Sequence, residues 1–261
     1  KSADGSQTLI QETLQNEDIQ AGLKSAGVTI DYSKLTLSGI SLTETSSISD
    51  IETAVGQIDT DKKAVEEFQN TQVKTAVASC QTKIEALDAS IRGKDTQITS
   101  LEAQKTGVAS VDAGIDARIA EIKQDIEKLK AEKAEVEKAK EALETTVKQQ
   151  VSDITKALDT KKSELNDLKK TKAEMMDKKY DLAKEQDEKA TKNQTKMDKL
   201  KKEIDTLRSQ TTDPKKGDSN LDKLNKKIGE YNGLATEMKT LYKSLKDAGV
   251  SEITNSKNQK H

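Results

Sequence analysis

Side chains that could do chemistry are few in this chain, and their spacing does not suit it. The one histidine, His261, is the last residue of a polar stretch, where nothing would orient an imidazole as a general base. Cys80 is the one cysteine, so it has no partner for an intramolecular disulfide, and its place in an apolar three-four repeat predicts a small buried thiol. Zinc would need clustered Cys and His, and a calcium loop would need the Gly and closing Glu that Asp59 and Asp61 lack. No Gly-rich loop leads into a Lys-Ser or Lys-Thr pair that could hold a phosphate. Carboxylates are abundant but interleave with lysines, as in Lys199, Lys201 and Lys202 among Asp198, Glu203 and Asp205, which is the pattern of a solvated helix face. Asn193-Gln194-Thr195 fits the N-glycosylation triplet, relevant only in a eukaryotic secretory pathway. The sequence thus predicts no catalytic, cofactor-binding or metal-binding residue, and a protein that is not an enzyme.

Composition explains what such a chain can build instead. Only 32% of residues are hydrophobic and 34% are charged, with no Trp, four Tyr and a single Phe, Phe68, too little for a broad globular core. Narrow helical seams need fewer apolar atoms. The 44 basic and 46 acidic residues nearly cancel, which argues against nucleic acid, because phosphate binding needs a basic surplus on one face. No run approaches the ~20 apolar residues of a membrane span, nor the apolar segment a pore-forming toxin would insert. Lys1 in place of an initiator Met points to a processed protein or a fragment.

The elements follow from apolar spacing. Residues 1–45 read as a small mixed α/β head. It has an amphipathic helix (Leu9, Ile10, Leu14, Ile19, Leu23) stopped at Gly27, then Val28, Ile30, Tyr32, Leu35 and Leu37, whose alternation predicts a short β-hairpin. Residues 46–210 read as a long antiparallel coiled-coil hairpin. Its first helix starts among Thr45–Ser49 and carries Ile51, Val55, Ile58 and Val65, slips near Phe68, and resumes through Val73, Val77, Cys80, Ile84, Leu87, Ile91, Ile98 and Leu101. A turn over Gly107–Gly114 leads to a second helix starting near Asp112 and carrying Ile115, Ile119, Ile122, Ile126, Leu129, Val136, Leu143 and Val147. A discontinuity at Val147–Val151 precedes Ile154, Leu158, Leu165, Leu168, Met175, Leu182, Met197, Leu200, Ile204 and Leu207. Residues 211–249 read as a loop around Pro214 and a returning helix (Leu221 to Leu245) that ends at Gly249, and 250–261 as a flexible tail. Together these predict a mainly α helical hairpin or three-helix rod. Ile84, Leu87, Ile91, Ile122, Leu129 and Leu158 are its seam, and the head or a second chain covers Met176 and Tyr180.

Leu23-Lys24-Ser25-Ala26-Gly27-Val28 echoes Leu245-Lys246-Asp247-Ala248-Gly249-Val250, and each runs from a helix end into an extended stretch. The first leads into Ser47-Ile48-Ser49-Asp50-Ile51-Glu52-Thr53-Ala54-Val55; the second follows the helix after Thr212-Asp213-Pro214-Lys215-Lys216-Gly217-Asp218. This arrangement resembles the secreted needle-tip and tip-filament coiled-coil proteins of bacterial type III secretion systems. Gly39-Ile40-Ser41-Leu42-Thr43 before a helix is similar to flagellin-like proteins. The resemblance implies a secreted or cell-surface, virulence-associated structural protein that binds protein partners or assembles with itself, with no cofactor. The other reading of the same residues is a cytoplasmic scaffold or tether. Partner recognition is expected at Val28, Ile30, Tyr32, Leu35 and Leu37, the irregular part carried by a regular scaffold.

Overall fold

The structure, a computed structural model, describes residues 3–210 and 217–247. It is mainly α, with no β-strand among the described residues. Seven helices follow in chain order: α1 (Ala3–Gln15), α2 (Glu17–Ser25), α3 (Ile48–Phe68), α4 (Lys74–Ala103), α5 (Ala109–Glu141), α6 (Lys148–Gln210) and α7 (Gly217–Asp247). The chain divides into two compact units, Lys1–Asp167 and Leu168–His261.

In the first unit α3 opens on a capping box. Ser47 Oγ accepts from the Asp50 N–H at 3.1 Å while the Asp50 carboxylate accepts from the Ser47 N–H at 2.8 Å, so two N–H groups that a helix start leaves unpaired are satisfied reciprocally. The slip near Phe68 is a π turn, Gln69–Val73, in which the Lys74 N–H bonds the Gln69 carbonyl five residues back. Its cause is legible in the spacing. Phe68 and Val73 are both fully buried, yet five α-helical residues would set them about 140° apart; the wider turn brings both inward. A second π turn covers Ala142–Val147, one helical turn before the discontinuity expected at Val147–Val151. Here Val136, Ala139, Leu143, Val147 and Val151 are all buried, and three successive four-residue steps would drift off the seam in an unbroken α-helix.

α3 and α4 form one arm, and α5 with the start of α6 forms the other, antiparallel to it. Lys105 pairs with Asp116 at 2.5 Å, Lys133 with Asp88 at 2.7 Å, Lys62 with Asp159 at 2.5 Å and Lys162 with Asp59 at 2.6 Å. Gly107 turns the chain between the arms with φ +83°, a left-handed conformation that costs glycine nothing. α5 begins at Ala109 rather than near Asp112, and Gly114 lies inside it. The reason is that Asp112 reaches back: its carboxylate accepts from the Thr106 N–H at 2.9 Å, the Gly107 N–H at 2.8 Å and the Thr106 hydroxyl at 3.1 Å. These bonds, the one from the Thr106 N–H foremost, hold its pKa below the ordinary 3.8.

In the second unit α7 lies antiparallel to the later part of α6. Gln186 donates to Ser244 at 3.3 Å, Asn193 to Glu237 at 3.1 Å, and Lys227 pairs with Glu203 at 2.9 Å. Ala190, Met197 and Met238 form its core, with Tyr231, Leu234, Ala235 and Leu241 packed around them. Leu168, Met175 and Leu182 recur every seven residues and are exposed. Gly217, expected in a loop, is the first residue of α7, whereas Pro214, the stop at Gly249 and the tail 250–261 lie outside the described residues.

Candidate functional site: the N-terminal head

The head is helical, which corrects the mixed α/β expectation. Its single amphipathic segment is broken into α1 and α2 at Asn16, whose side chain accepts from the Asp18 N–H at 3.1 Å and so caps the second helix. The Gln20 side chain donates back to the Leu14 carbonyl at 2.5 Å, closing the corner between them. Ile10, Leu14 and Leu23 are buried in one cluster with Val136, Ala139, Leu143 and Val147. Around this apolar contact Ser25 donates to Glu132 at 2.6 Å, Lys138 to Asp18 at 2.5 Å, and Gln150 to Thr13 at 3.0 Å. Gly22 is the closest approach. A Cβ built there would stand 2.2 Å from the Glu135 carbonyl oxygen and 2.7 Å from the Ala139 Cβ. No larger residue allows α2 to lie so near α5.

Gly27, at φ +68°, ends α2, and the Val28 N–H returns to the Leu23 carbonyl at 2.8 Å, the left-handed glycine stop that the sequence implied. The expected hairpin does not form. Asp31 interrupts it, because its carboxylate accepts from the Ser33 N–H at 3.0 Å and the Ser33 hydroxyl at 2.5 Å and bends the chain into a 3₁₀ turn, Tyr32–Leu35. The hydroxyl bond is also the main reason that the Asp31 pKa is lowered. Side chains, not a neighbouring strand, receive the extended backbone here. The Asp31 N–H donates to Gln72 at 2.9 Å, and the Ser38 N–H to both carboxylate oxygens of Asp61 at 3.2 Å. Asp61 is thereby buried with partners, also accepting from Gln57 at 3.2 Å.

The five residues expected to meet a partner are gathered in this segment, but they face inward. Leu35 is buried, and Val28, Ile30, Tyr32 and Leu37 are half-buried against the same core. Burial raises the Tyr32 pKa, and its hydroxyl has no hydrogen-bond partner. The outward side of the segment is polar: Thr29, Asp31, Ser33, Lys34, Thr36, Ser38 and Ser41 are exposed. A cavity of about 440 Å³ lies beside it, lined by Gln20, Leu23, Lys24, Gly27, Val28, Thr29, Ile30 and Tyr32. Sequence reasoning missed Gly22, which seats α2 on α5, and Asp61 and Gln72, which fix this segment to α3 and the π turn after it. Only Gly22 left a signal, as a glycine inside an otherwise regular helical pattern.

Of the seam residues, Ile84, Leu87, Ile122 and Leu158 are buried and Ile91 and Leu129 half-buried. Cys80 is fully buried among them, and burial pushes its thiol pKa up. Met176 and Tyr180, expected to be covered by the head or by a second chain, lie in the second unit. The helices of the head, α1 and α2, find their partners between Glu132 and Gln150, while the segment after them is held by Asp61 and Gln72. Among the described residues no group of three or more His, Cys, Asp or Glu could hold a metal ion, and no helix is long and apolar enough to cross a membrane. Comparison with protein-family models, with curated proteins and with solved structures finds no match to the chain.

Proposed function

We propose that this chain is a structural and interaction protein, not an enzyme, in which helices packed as coiled coils carry a small head that recognises a protein partner. The observation that carries the reading is the construction of the head. An irregular segment, 26–47, is pinned on its apolar side by Asp61 and Gln72 and leaves a continuous polar margin from Thr29 to Ser41 outward. Recognition then uses that margin, with Val28, Ile30, Tyr32, Leu35 and Leu37 as its internal support. In its specific form the proposal makes the chain a secreted or surface component of the needle-tip or tip-filament kind. The other reading, a cytoplasmic scaffold or tether, shares the same contact surface and differs in location.

Deleting residues 1–45 would bare Val136, Leu143 and Val147, so loss of binding on deletion would be ambiguous. Photo-cross-linking residues placed one at a time at Thr29, Ser38 and Ser41, and at Glu121 and Lys128 on the outer face of α5, separate the possibilities in cells that make the protein. Cross-links from the head positions to a discrete partner are the expected result. Cross-links from α5 alone would move recognition to the arms, and export that proceeds without a secretion apparatus would remove the needle-tip form.

A further inference from the structure

We infer that the two π turns are a compensating pair: each arm carries one inserted residue, and the two insertions cancel, so the arms keep register while providing the seat of the head. The ion pairs show the cancellation. On the turn side of the π segments Lys105 faces Asp116 and Asp88 faces Lys133; on the far side Lys62 faces Asp159 and Asp59 faces Lys162. Each step back along one arm is matched by one step forward along the other, from residue 105 to residue 59, across both π turns. A π turn in one arm alone would advance that arm by about 1.5 Å and rotate it by about 100° relative to its partner, and every pairing beyond it would fail.

Both insertions also lie under the head. Gln72 of the first accepts the Asp31 N–H at 2.9 Å. Leu143 and Val147 of the second are fully buried in the cluster that holds Ile10 and Leu14. Two uninterrupted arms would keep the same pairing arithmetic, but would turn these side chains away from the head. The pair is therefore a register-neutral device that opens a further packing face on the two paired arms.

Single-residue deletions in the full chain test this, at exposed positions so that no core side chain is lost: Thr71 in the first π turn and Thr145 in the second. Cys80, the one thiol and buried between the arms, reports pairing through its protection from labelling. Each single deletion should lower the thermal midpoint of that protection by roughly 10 °C or more. The double deletion should recover more than half of the loss, with the head now open to protease between Gly27 and Ser47. Deleting Thr71 with Glu121 leaves the stretch between the two deletions, Cys80 included, out of register and should recover nothing at Cys80. A double deletion as labile as either single one, or unfolded, overturns the inference, as does a single deletion that leaves Cys80 protection unchanged.

Discussion

Replacing Gly22 by Ala tests the tightest site among the described glycines, because the same substitution elsewhere has the opposite sign. An α-helix favours Ala over Gly by roughly 1 kcal/mol in its interior. Gly56 in α3 and Gly93 in α4 are exposed, with nothing within 4 Å of an added Cβ, so Gly56→Ala and Gly93→Ala should each stabilise by about 0.5–1 kcal/mol. At Gly22 the added carbon meets the backbone of α5, with the Glu135 oxygen at 2.2 Å and the Glu135 carbonyl carbon at 2.8 Å. Carbon contacts need about 3.5 Å, so α2 must retreat by roughly 1 Å and loosen Leu14 and Leu23, each worth ~1.5–3 kcal/mol when fully buried. Overpacking of this kind costs about 1–3 kcal/mol, and set against the helix preference it leaves Gly22→Ala up to about 2 kcal/mol less stable than the parent. Urea unfolding of the three variants, followed by circular dichroism, gives the comparison. A Gly22→Ala midpoint raised like those of Gly56→Ala and Gly93→Ala would refute the close approach of α2 to α5, and with it the seat assigned to the head.

Three further outcomes follow from local chemistry. Because the Asp112 pKa is held below 3.8 in the folded chain, its contribution is present above pH 3.8 and lost as the pH falls through the lower folded value. Hydrogen exchange at Thr106 and Gly107 should accelerate over that acid range in the parent, while Asp112→Asn should exchange fast already at neutral pH. Cys80 should resist a thiol reagent at pH 8 and react at once in denaturant, and rapid labelling of the folded chain would contradict its burial. Ser47→Ala removes one half of the capping box and should cost about 1 kcal/mol, readable as a lower urea midpoint, whereas the neighbouring Ser49→Ala should cost less.

Much of the helical framework was legible because apolar spacing is a direct image of burial in a two-helix seam. Ile84, Leu87, Ile122 and Leu158 stand where the three-four repeat puts them. The first irregularity was legible too: Phe68 and Val73 are both apolar and five apart, a spacing that neither a heptad nor a plain α-helix accommodates. The second was placed a turn late, since a run of four-residue steps from Ala139 to Val151 does not say where the extra residue is absorbed. The head was misread for a physical reason. Alternation at Val28, Ile30 and Tyr32 reports that alternate side chains are covered, without reporting by what, and a helix surface covers them as well as a second sheet face would. The competing signal was Asp31-Tyr32-Ser33, a side chain able to accept from a backbone two residues ahead. In the Asn193 triplet the amide nitrogen donates to Glu237 across α6 and α7 in an exposed hydrogen bond.

The way the head is joined to its seat makes it a tethered ligand of the helix pair. α2 ends at Ser25 and α3 begins at Ile48, so once the arms have closed the head searches for α5 on the leash of residues 26–47 and not as a free molecule. Local concentrations on such tethers are on the order of millimolar. Any outside helix competing for the face formed by Glu132, Ala139 and Leu143 must therefore bind far more tightly than the head itself, whose own intrinsic affinity can be weak without its ever being displaced. That face is undemanding in strength but strict in shape. A small residue at position 22 and a carbonyl at position 135 in the right place matter more than any single contact energy.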